Sequence, residues 1–361
     1  MRPIRILVDS FADAGLPNAQ MGNAREIVSR LDPARFHVSM FVLGQPDPRI
    51  VARENTRLVQ LPQRRQTVRI LREFLWGAHQ LLFYMKSAPA SRCYLSWRRK
   101  WNDYRITIGT LESQSDLSNE AFIAPEAIRL WEQTILRCDR LYSNSKSVQK
   151  SLEREYNLAS EIIPTGVDTR FFVPDWDRPA NLRTRVLFVG SLRTYKQPQV
   201  AVDAAARFPQ ADFRIAGDGP LVTELQSRCA NQGLKNVKLL GPLSAEELRQ
   251  QYQSADVFLF PSKWEGSPKV ILEAAACGLP VIARNNYSPE TVIHGVTGYQ
   301  AVSDESIFTH LEALLNNAGL RQDFGRNGRR LSEKYDWDVI TEQWQQTFIE
   351  LAERRELRKA S

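Results

Sequence analysis

The segment Phe260 to Pro280, FPSKWEGSPKVILEAAACGLP, gathers the side chains best suited to chemistry. It leaves the apolar run Val257 to Phe260 through small polar residues, then turns helical near Pro268, where proline fits a first turn because its missing N–H costs nothing. The free amides of such a helix start favour an anion, for instance a diphosphate. Ser262, Gly266, Ser267, Pro268 and Lys269 would border it. Glu265 falls in the loop and Glu273 in the helix, and both are expected to face one mouth. An inward Glu273 among Val270, Ile271, Leu272 and three alanines is costly unless satisfied, and the two hydroxyls of a nucleotide ribose would satisfy it. The plainer reading makes both glutamates part of a solvated helix end.

Two further loops follow apolar strands. Gly190-Ser191-Leu192-Arg193-Thr194-Tyr195-Lys196 is cationic and suits a phosphate, or is a solvated loop with a turn glycine. Gly217-Asp218-Gly219-Pro220 is half of a dinucleotide fingerprint without its third glycine, or simply a tight turn. No phosphate-loop lysine motif occurs in the chain.

Elements must hold these loops at one edge. Strand-like runs Val186 to Val189, Phe213 to Ala216, Val237 to Leu240, Val257 to Phe260 and Val281 to Ala283 alternate with helical patterns from Gln199, Leu221, Ala245 and Val270. That alternation implies a parallel sheet covered on both faces, with ligands beyond the strands' carboxyl ends. Upstream, Ile4 to Val8, Val38 to Leu43, Arg105 to Ile108, Leu141 to Ser143 and Ile162-Ile163 read as strands. Ala24 to Leu31, Glu126 to Cys138 and Lys146 to Tyr156 read as helices, and one helix is expected across Thr67 to Met85. The expected domains are 1–170 and 186–335, joined by a Pro-rich and charged linker at 171–185. A C-terminal helix, 336–361, is drawn back to the first domain.

The 361 residues carry a net charge of +7, and 25% are charged. Residues 49–105 alone hold 13 Lys and Arg against 3 Asp and Glu, so the basicity is local. Arg64, Arg65, Arg69, Arg72, Arg98, Arg99 and Lys100, interleaved with Trp76, Trp97 and Trp101, suit an anionic leaflet. The other reading packs the apolar face into the core and leaves the arginines solvated. Nucleic acid is not an expected partner, because no binding motif for it is present. Four separated cysteines argue against zinc or a disulfide framework. Asp9 follows only three consecutive apolar residues, so no signal peptide is expected, nor is a membrane span. The expected location is cytoplasmic, with peripheral contact at the inner face of the membrane.

The stretch Pro261 to Pro280, with glutamate, seven residues, then glutamate, resembles the signature of family four glycosyltransferases. The likeness extends through Val189-Gly190 with Lys196, Ala216 to Pro220, Leu240-Gly241, Ala255-Asp256-Val257 and Gly295 to Gly298. It continues weakly through Ser143-Asn144-Ser145 and Ile163 to Asp168. The resemblance implies an α/β protein of the GT-B class, two Rossmann-like domains facing each other across a cleft, and retaining, metal-independent sugar transfer. The donor would be a nucleotide-sugar, carrying UDP or GDP, with no other cofactor. The acceptor hydroxyl would be on a carbohydrate or a lipid-linked or cell-envelope glycan. Lys196 would bind the donor diphosphate, Glu273 the ribose and Glu265 the transferred sugar. Gly266 to Lys269 would lend amides to sugar and phosphate, Gly241 and Leu243 would border the base, and Gly22 would match the family's glycine-rich loop.

Three positions depart from the family pattern. Ser191 stands where arginine is usual, with Arg193 two residues on as its expected replacement. The loop Gly109 to Ser115 lacks the usual histidine, leaving Thr110 or Glu112 in its place, and Thr165 replaces the asparagine usual before Gly166. These departures keep open a non-catalytic nucleotide-sugar-binding protein on a degenerate transferase fold. A nucleotide-sugar epimerase or phosphorylase of similar architecture is the other alternative.

Overall fold

A computed structural model describes residues 3–14, 19–101, 103–112 and 125–360. The chain forms two compact units, residues 1–164 with 337–361, and residues 165–336.

The first unit contains β1 (Ile4–Phe11), α1 (Ala19–Arg30), β2 (Phe36–Val42), α2 (Pro48–Ala52), β3 (Thr56–Gln60), α3 (Gln66–Trp76), β4 (Leu81–Phe83), α4 (Pro89–Trp97) and β5 (Ile106–Leu111). It continues with α5 (Pro125–Glu132), β6 (Arg140–Ser143), α6 (Lys146–Tyr156) and β7 (Glu161–Ile162). All pairings are parallel, in the order β3-β2-β1-β4-β5-β6-β7, with Ile6 opposite Val38 on one side and Leu81 on the other.

The helix expected across Thr67 to Met85 ends nine residues early, and β4 takes its last part. Gly77 stops α3, its amide donating to the Glu73 carbonyl at 2.9 Å, and a Cβ there would come within 2.5 Å of the His79 ring. Leu81, Leu82 and Phe83 are buried on both faces, and a short, wholly apolar run shows no period that separates strand from helix. β3 was likewise not foreseen. The helix expected over Glu126 to Cys138 is α5 followed by a 3-10 turn, Ile135–Arg137.

The second unit contains β8 (Arg185–Val189), α7 (Gln199–Arg207), β9 (Asp212–Ala216), α8 (Val222–Asn231), β10 (Val237–Gly241), α9 (Ala245–Ser254) and β11 (Val257–Phe260). Then follow α10 (Lys269–Ala276), β12 (Val281–Arg284), β13 (Gly298–Ala301), α11 (Asp304–Asn316) and α12 (Ala318–Glu333). Its sheet is parallel, in the order β10-β9-β8-β11-β12-β13. The central strands β8, β11 and β12 are almost wholly buried, as helices on both faces require, while the edge strand β10 is half-exposed.

Residues 171–185 are not a linker. Phe172 is buried against Tyr252, with ring centroids 5.9 Å apart, Arg178 bonds to Asp256 and to the Ala255 carbonyl, and the Trp176 ring covers Gly278. Prolines and charge without periodicity signal irregular backbone, and here that backbone is packed rather than free. The last helix, α13 (Trp337–Ala360), belongs to the first unit. Trp344 and Phe348 lie against Phe83, with ring centroids 4.7 and 4.9 Å away.

Candidate active site

In the second sheet the strand order reverses between β8 and β11. One connection runs to β9 and the other to β12, so the loops leaving β8 and β11 diverge and open a crevice at their carboxyl ends. Those two loops carry Lys196 and Glu265. Lys196 ends a 3-10 turn, Thr194–Lys196, and Gln197 follows in the left-handed region at φ 54°, a conformation that costs a non-glycine residue about 1–2 kcal/mol. The Lys196 ammonium contacts Glu265 Oε1 directly and lies 5.1 Å from the Phe260 ring centroid. Ser262, fully buried, donates to the same Oε1 at 2.6 Å, and the Lys263 amide donates to the Tyr195 carbonyl at 2.8 Å, stitching the loops together. The pair keeps 14% and 12% side-chain exposure, so an incoming anion can reach it. A lysine held by a carboxylate over an aromatic ring is well placed to exchange that carboxylate for a phosphate.

Glu273 lies on the second turn of α10 and accepts the Tyr252 hydroxyl at 3.0 Å. Burial raises its pKa above the ordinary carboxylate value, against the lowering pull of the Lys269 charge and the tyrosine hydrogen bond. Hydroxyl donors supplied by a ligand would favour its charged form. No side chain among the described residues caps α10, whose first amides follow Gly266, Ser267 and Pro268.

The glycines of the other two loops have a packing cause. Gly217, at φ 134°, has no room for a Cβ because the Gly190 carbonyl occupies that space, and at Gly219 a Cβ would lie 2.6 Å from the Leu192 carbonyl oxygen. The Gly190 amide bonds to Ala216, Leu192 to Asp218 and Gly217 to Gly241, all within 3.1 Å. These loops close on one another, and that contact, more than access for a ligand backbone, requires Gly217 and Gly219. Gly241 sits at φ 73° in open space, and Leu243 is half-buried against the core. Ser191 is half-buried. Arg193 is exposed, and its guanidinium makes no hydrogen bond or ion pair with a described residue.

Residues 177–331 match the family model described as glycosyl transferases group 1. The chain is 33% identical over 229 residues to the GDP-mannose-dependent alpha-(1-6)-phosphatidylinositol monomannoside mannosyltransferase of Mycolicibacterium smegmatis, covering 56% of this chain and 58% of that enzyme. It is 29% identical over 284 residues to the D-inositol 3-phosphate glycosyltransferase of Corynebacterium jeikeium, 71% of this chain and 68% of that one. Residues 177–331 thus carry a group 1 glycosyltransferase domain. Several curated relatives align over 37–60% of their own length. In fold, the chain superposes along its full length on sucrose-phosphate synthase from Thermosynechococcus elongatus, with a TM-score of 0.79 and 21% identity, both chains covered in full. It superposes on HepE of Anabaena, solved with UDP-glucose, with a TM-score of 0.74 and 17% identity, over 96% of this chain and all of that one. Two parallel α/β units and these superpositions give the chain a GT-B fold.

In the first unit, Gly22 is the fourth residue of α1, inside the helix rather than in a loop. Thr110 lies in β5 and is buried. Glu112 follows that strand, accepting from the Asn23 amide at 3.0 Å and from the Tyr84 hydroxyl. The rest of that loop, Ser113 to Ser115, lies outside the described residues. Sequence reasoning missed Tyr252, Phe260, Tyr287 and Trp264 around the site. Tyr252 meets Glu273 across 21 residues, and no local spacing announces such a contact.

The basic segment divides. Arg64 and Arg65, just before α3, and Arg72 within it are exposed, and Val68 (57%) and Trp76 (74%) share Arg72's face of the helix. Lys100 is exposed as well, and the Arg99 side chain lies outside the described residues. Arg98 is not a surface cation. It bonds to Thr107 Oγ1 at 2.9 Å, Asp139 at 2.6 Å and the Arg105 carbonyl, because its long side chain reaches back to tie β5 to the start of β6. Arg69 is half-buried, 3.7 Å from Glu73. A cavity of about 770 Å³ lined by Arg5, His37, His79, Trp101 and Arg105 opens at the amino-terminal edge of this sheet, the edge opposite Glu112. No helix among the described residues is long and apolar enough to cross a membrane.

Proposed function

We propose that this protein moves a sugar from a nucleotide-sugar to an acceptor hydroxyl, with retention at the anomeric carbon and without a metal. The observation that carries the reading is the Lys196–Glu265 pair, drawn from the loops after β8 and β11 beside the uncapped start of α10. Lys196, the amides of Gly266, Ser267 and Lys269 and the exposed Arg193 would meet the diphosphate, neutralising the charge that develops on the leaving group. Glu273 would take the ribose hydroxyls, and Glu265 the transferred sugar. The leaving phosphate oxygen would accept the acceptor's proton on the same face, so neither glutamate needs to act as a general acid. UDP and GDP are the favoured nucleotides, supported by the UDP-glucose complex of HepE and by the GDP-mannose named for the mycobacterial relative.

That relative's phosphatidylinositol mannoside acceptor supports a lipid-linked or envelope glycan as the acceptor here. The exposed Arg64, Arg65, Arg72, Val68 and Trp76 would then rest on an anionic leaflet. Thermal-shift screening against UDP-, GDP-, ADP- and TDP-sugars tests the donor site. Stabilisation by one nucleotide class that disappears in Glu273→Ala and Lys196→Ala supports it, and no stabilisation by any of them counts against it. An inverted product anomer, or activity abolished by EDTA, would sink the proposed mechanism. Absence of co-sedimentation with anionic vesicles at low salt would remove the membrane contact.

A further inference from the structure

Tyr287 carries a buried hydroxyl on the loop after β12. The loop after β12 is exposed at Asn285, Asn286 and Ser288, yet the Tyr287 side chain between them is 0% exposed. It packs among Phe260, Ala283 and Val292, and its hydroxyl has no hydrogen-bond partner among the described residues. Ser288 holds the turn at φ 47°, a strained conformation for a residue with a Cβ, and its amide closes on the Asn285 carbonyl at 2.8 Å. Asn286 Nδ2 donates to the Lys263 carbonyl at 3.0 Å, so this loop is tied to the loop that carries Glu265. The Glu265 charge reaches the phenol and, after burial, is the second cause that keeps it protonated. Protonated and buried, on a loop tied to the one that carries Glu265, the hydroxyl is an unused donor.

We infer that Tyr287 is a positioning residue that takes over Glu265 when a diphosphate draws Lys196 away. In the present state Oε1 of Glu265 accepts from both Lys196 and Ser262. A diphosphate that recruits the ammonium leaves the carboxylate with Ser262 alone, a poor arrangement for a nearly buried charge. A hydrogen bond from Tyr287 then restores the missing donor and fixes the carboxylate for the sugar hydroxyls. No proton changes hands: the ammonium, carboxylate and phenol keep their protonation, and only partners are exchanged. The inference rests on the proposed donor site for its ligand, though its central test needs no ligand.

That test is a cycle of Tm measurements on the full chain. In the native background Tyr287→Phe removes an unpaired buried hydroxyl, so Tm is expected to stay level or rise by about 2–4 °C. In the Lys196→Met background Glu265 already lacks its ammonium, Tyr287 is engaged, and the same change lowers Tm by about 2–4 °C. Equal shifts in the two backgrounds overturn the inference; Lys196→Leu replaces the methionine variant should that fail to fold. With UDP as probe, Tyr287→Phe is expected to weaken binding and to lower kcat/KM about tenfold while Tm holds. Unchanged affinity and turnover in a variant that folds as the wild type would also overturn it. Failure of both UDP and GDP to bind the wild type strikes the proposed function instead, and the Tm cycle still decides Tyr287.

Discussion

Each sheet reverses its strand order beside its first strand, β1 against β4 in one unit and β8 against β11 in the other, and each crevice holds a lysine and a carboxylate. They are wired differently. In the second unit the Lys196 ammonium meets the Glu265 carboxylate directly. In the first, Asp9 is buried at 3% exposure and accepts the Lys86 backbone amide at 2.9 Å and the Ser91 hydroxyl at 3.2 Å, while the Lys86 ammonium stands 3.8 Å from the Phe11 ring centroid. The same topology thus delivers an exchangeable ion pair at one crevice and a backbone clamp at the other. An ammonium held only by a side-chain carboxylate can change partners without disturbing a strand end, whereas displacing Asp9 would unfasten the chain just after β4.

The largest expected effect separates the two lysines. Lys196→Met should lower turnover by about 10²–10³, the scale for losing one group aimed at developing charge, with Tm little changed. Lys86→Met should leave nucleotide affinity intact, read by titration with UDP and GDP. Equal loss of donor affinity in both variants would erase the distinction. Next comes the scaffold under the exchangeable pair. Gly217→Ala drives a Cβ into the Gly190 carbonyl at φ 134° and should cost about 3 kcal/mol in urea unfolding. Gly241→Ala, strained at φ 73° but sterically open, should cost about 1 kcal/mol. Similar losses at both would mean that the loop contact is not what holds the crevice.

The contrast between the crevices also explains what the sequence could disclose. Strands β8 to β11 were legible because each is a short apolar run that ends at or just before a glycine or proline and leads to a helical pattern; Lys196 and Glu265 stand in the loops those patterns define, and Glu273 in the helix that follows. The direct pairing of Lys196 with Glu265 was not legible, since 69 residues separate them and only strand order makes them neighbours. Asp9 and Lys86 drew no attention because β4 was hidden in an apolar stretch without period, and without β4 there is no first crevice. The glycines after β9 looked like a ligand turn, although a neighbouring backbone demands them just as strictly. Arg98 looked like surface charge because composition records a cation without its partners, and Thr107 and Asp139 are distant in sequence.

Glu273 gives the next effect, one of pH. Its folded pKa is raised, first by burial, above the 4.5 of a free glutamate. Hydroxyl donors from a ribose favour the ionised form, so nucleotide binding releases a proton wherever the free protein holds one. Affinity should therefore rise with pH from about 4.5 up to the raised pKa, by at most about tenfold per pH unit, and level off above it. Glu273→Gln should bind more weakly and lose that slope. A wild-type affinity that is flat across the window would mean the carboxylate does not receive the ribose.

Asp9 should produce the smallest effect and the clearest sign. Burial raises its pKa above 3.8, and the Lys86 charge with the hydrogen bonds from Lys86 and Ser91 only partly offsets this. Between 3.8 and the raised value the folded chain binds more protons than the unfolded one, so this stability is full below 3.8 and is lost as pH rises through the folded pKa. Lys86 acts in a separate window. Burial lowers its pKa from 10.5, the unfolded chain then holds more protons, and its contribution to stability increases with pH below 10.5. Asp9→Asn keeps an acceptor for the Lys86 amide and removes the acidic component alone. Urea unfolding of both proteins from about pH 4 to 6 should show a wild-type stability loss with rising pH that the variant lacks. Parallel curves would mean that Asp9 ionises as freely in the fold as in the unfolded chain, and the first crevice would then be as open to exchange as the second.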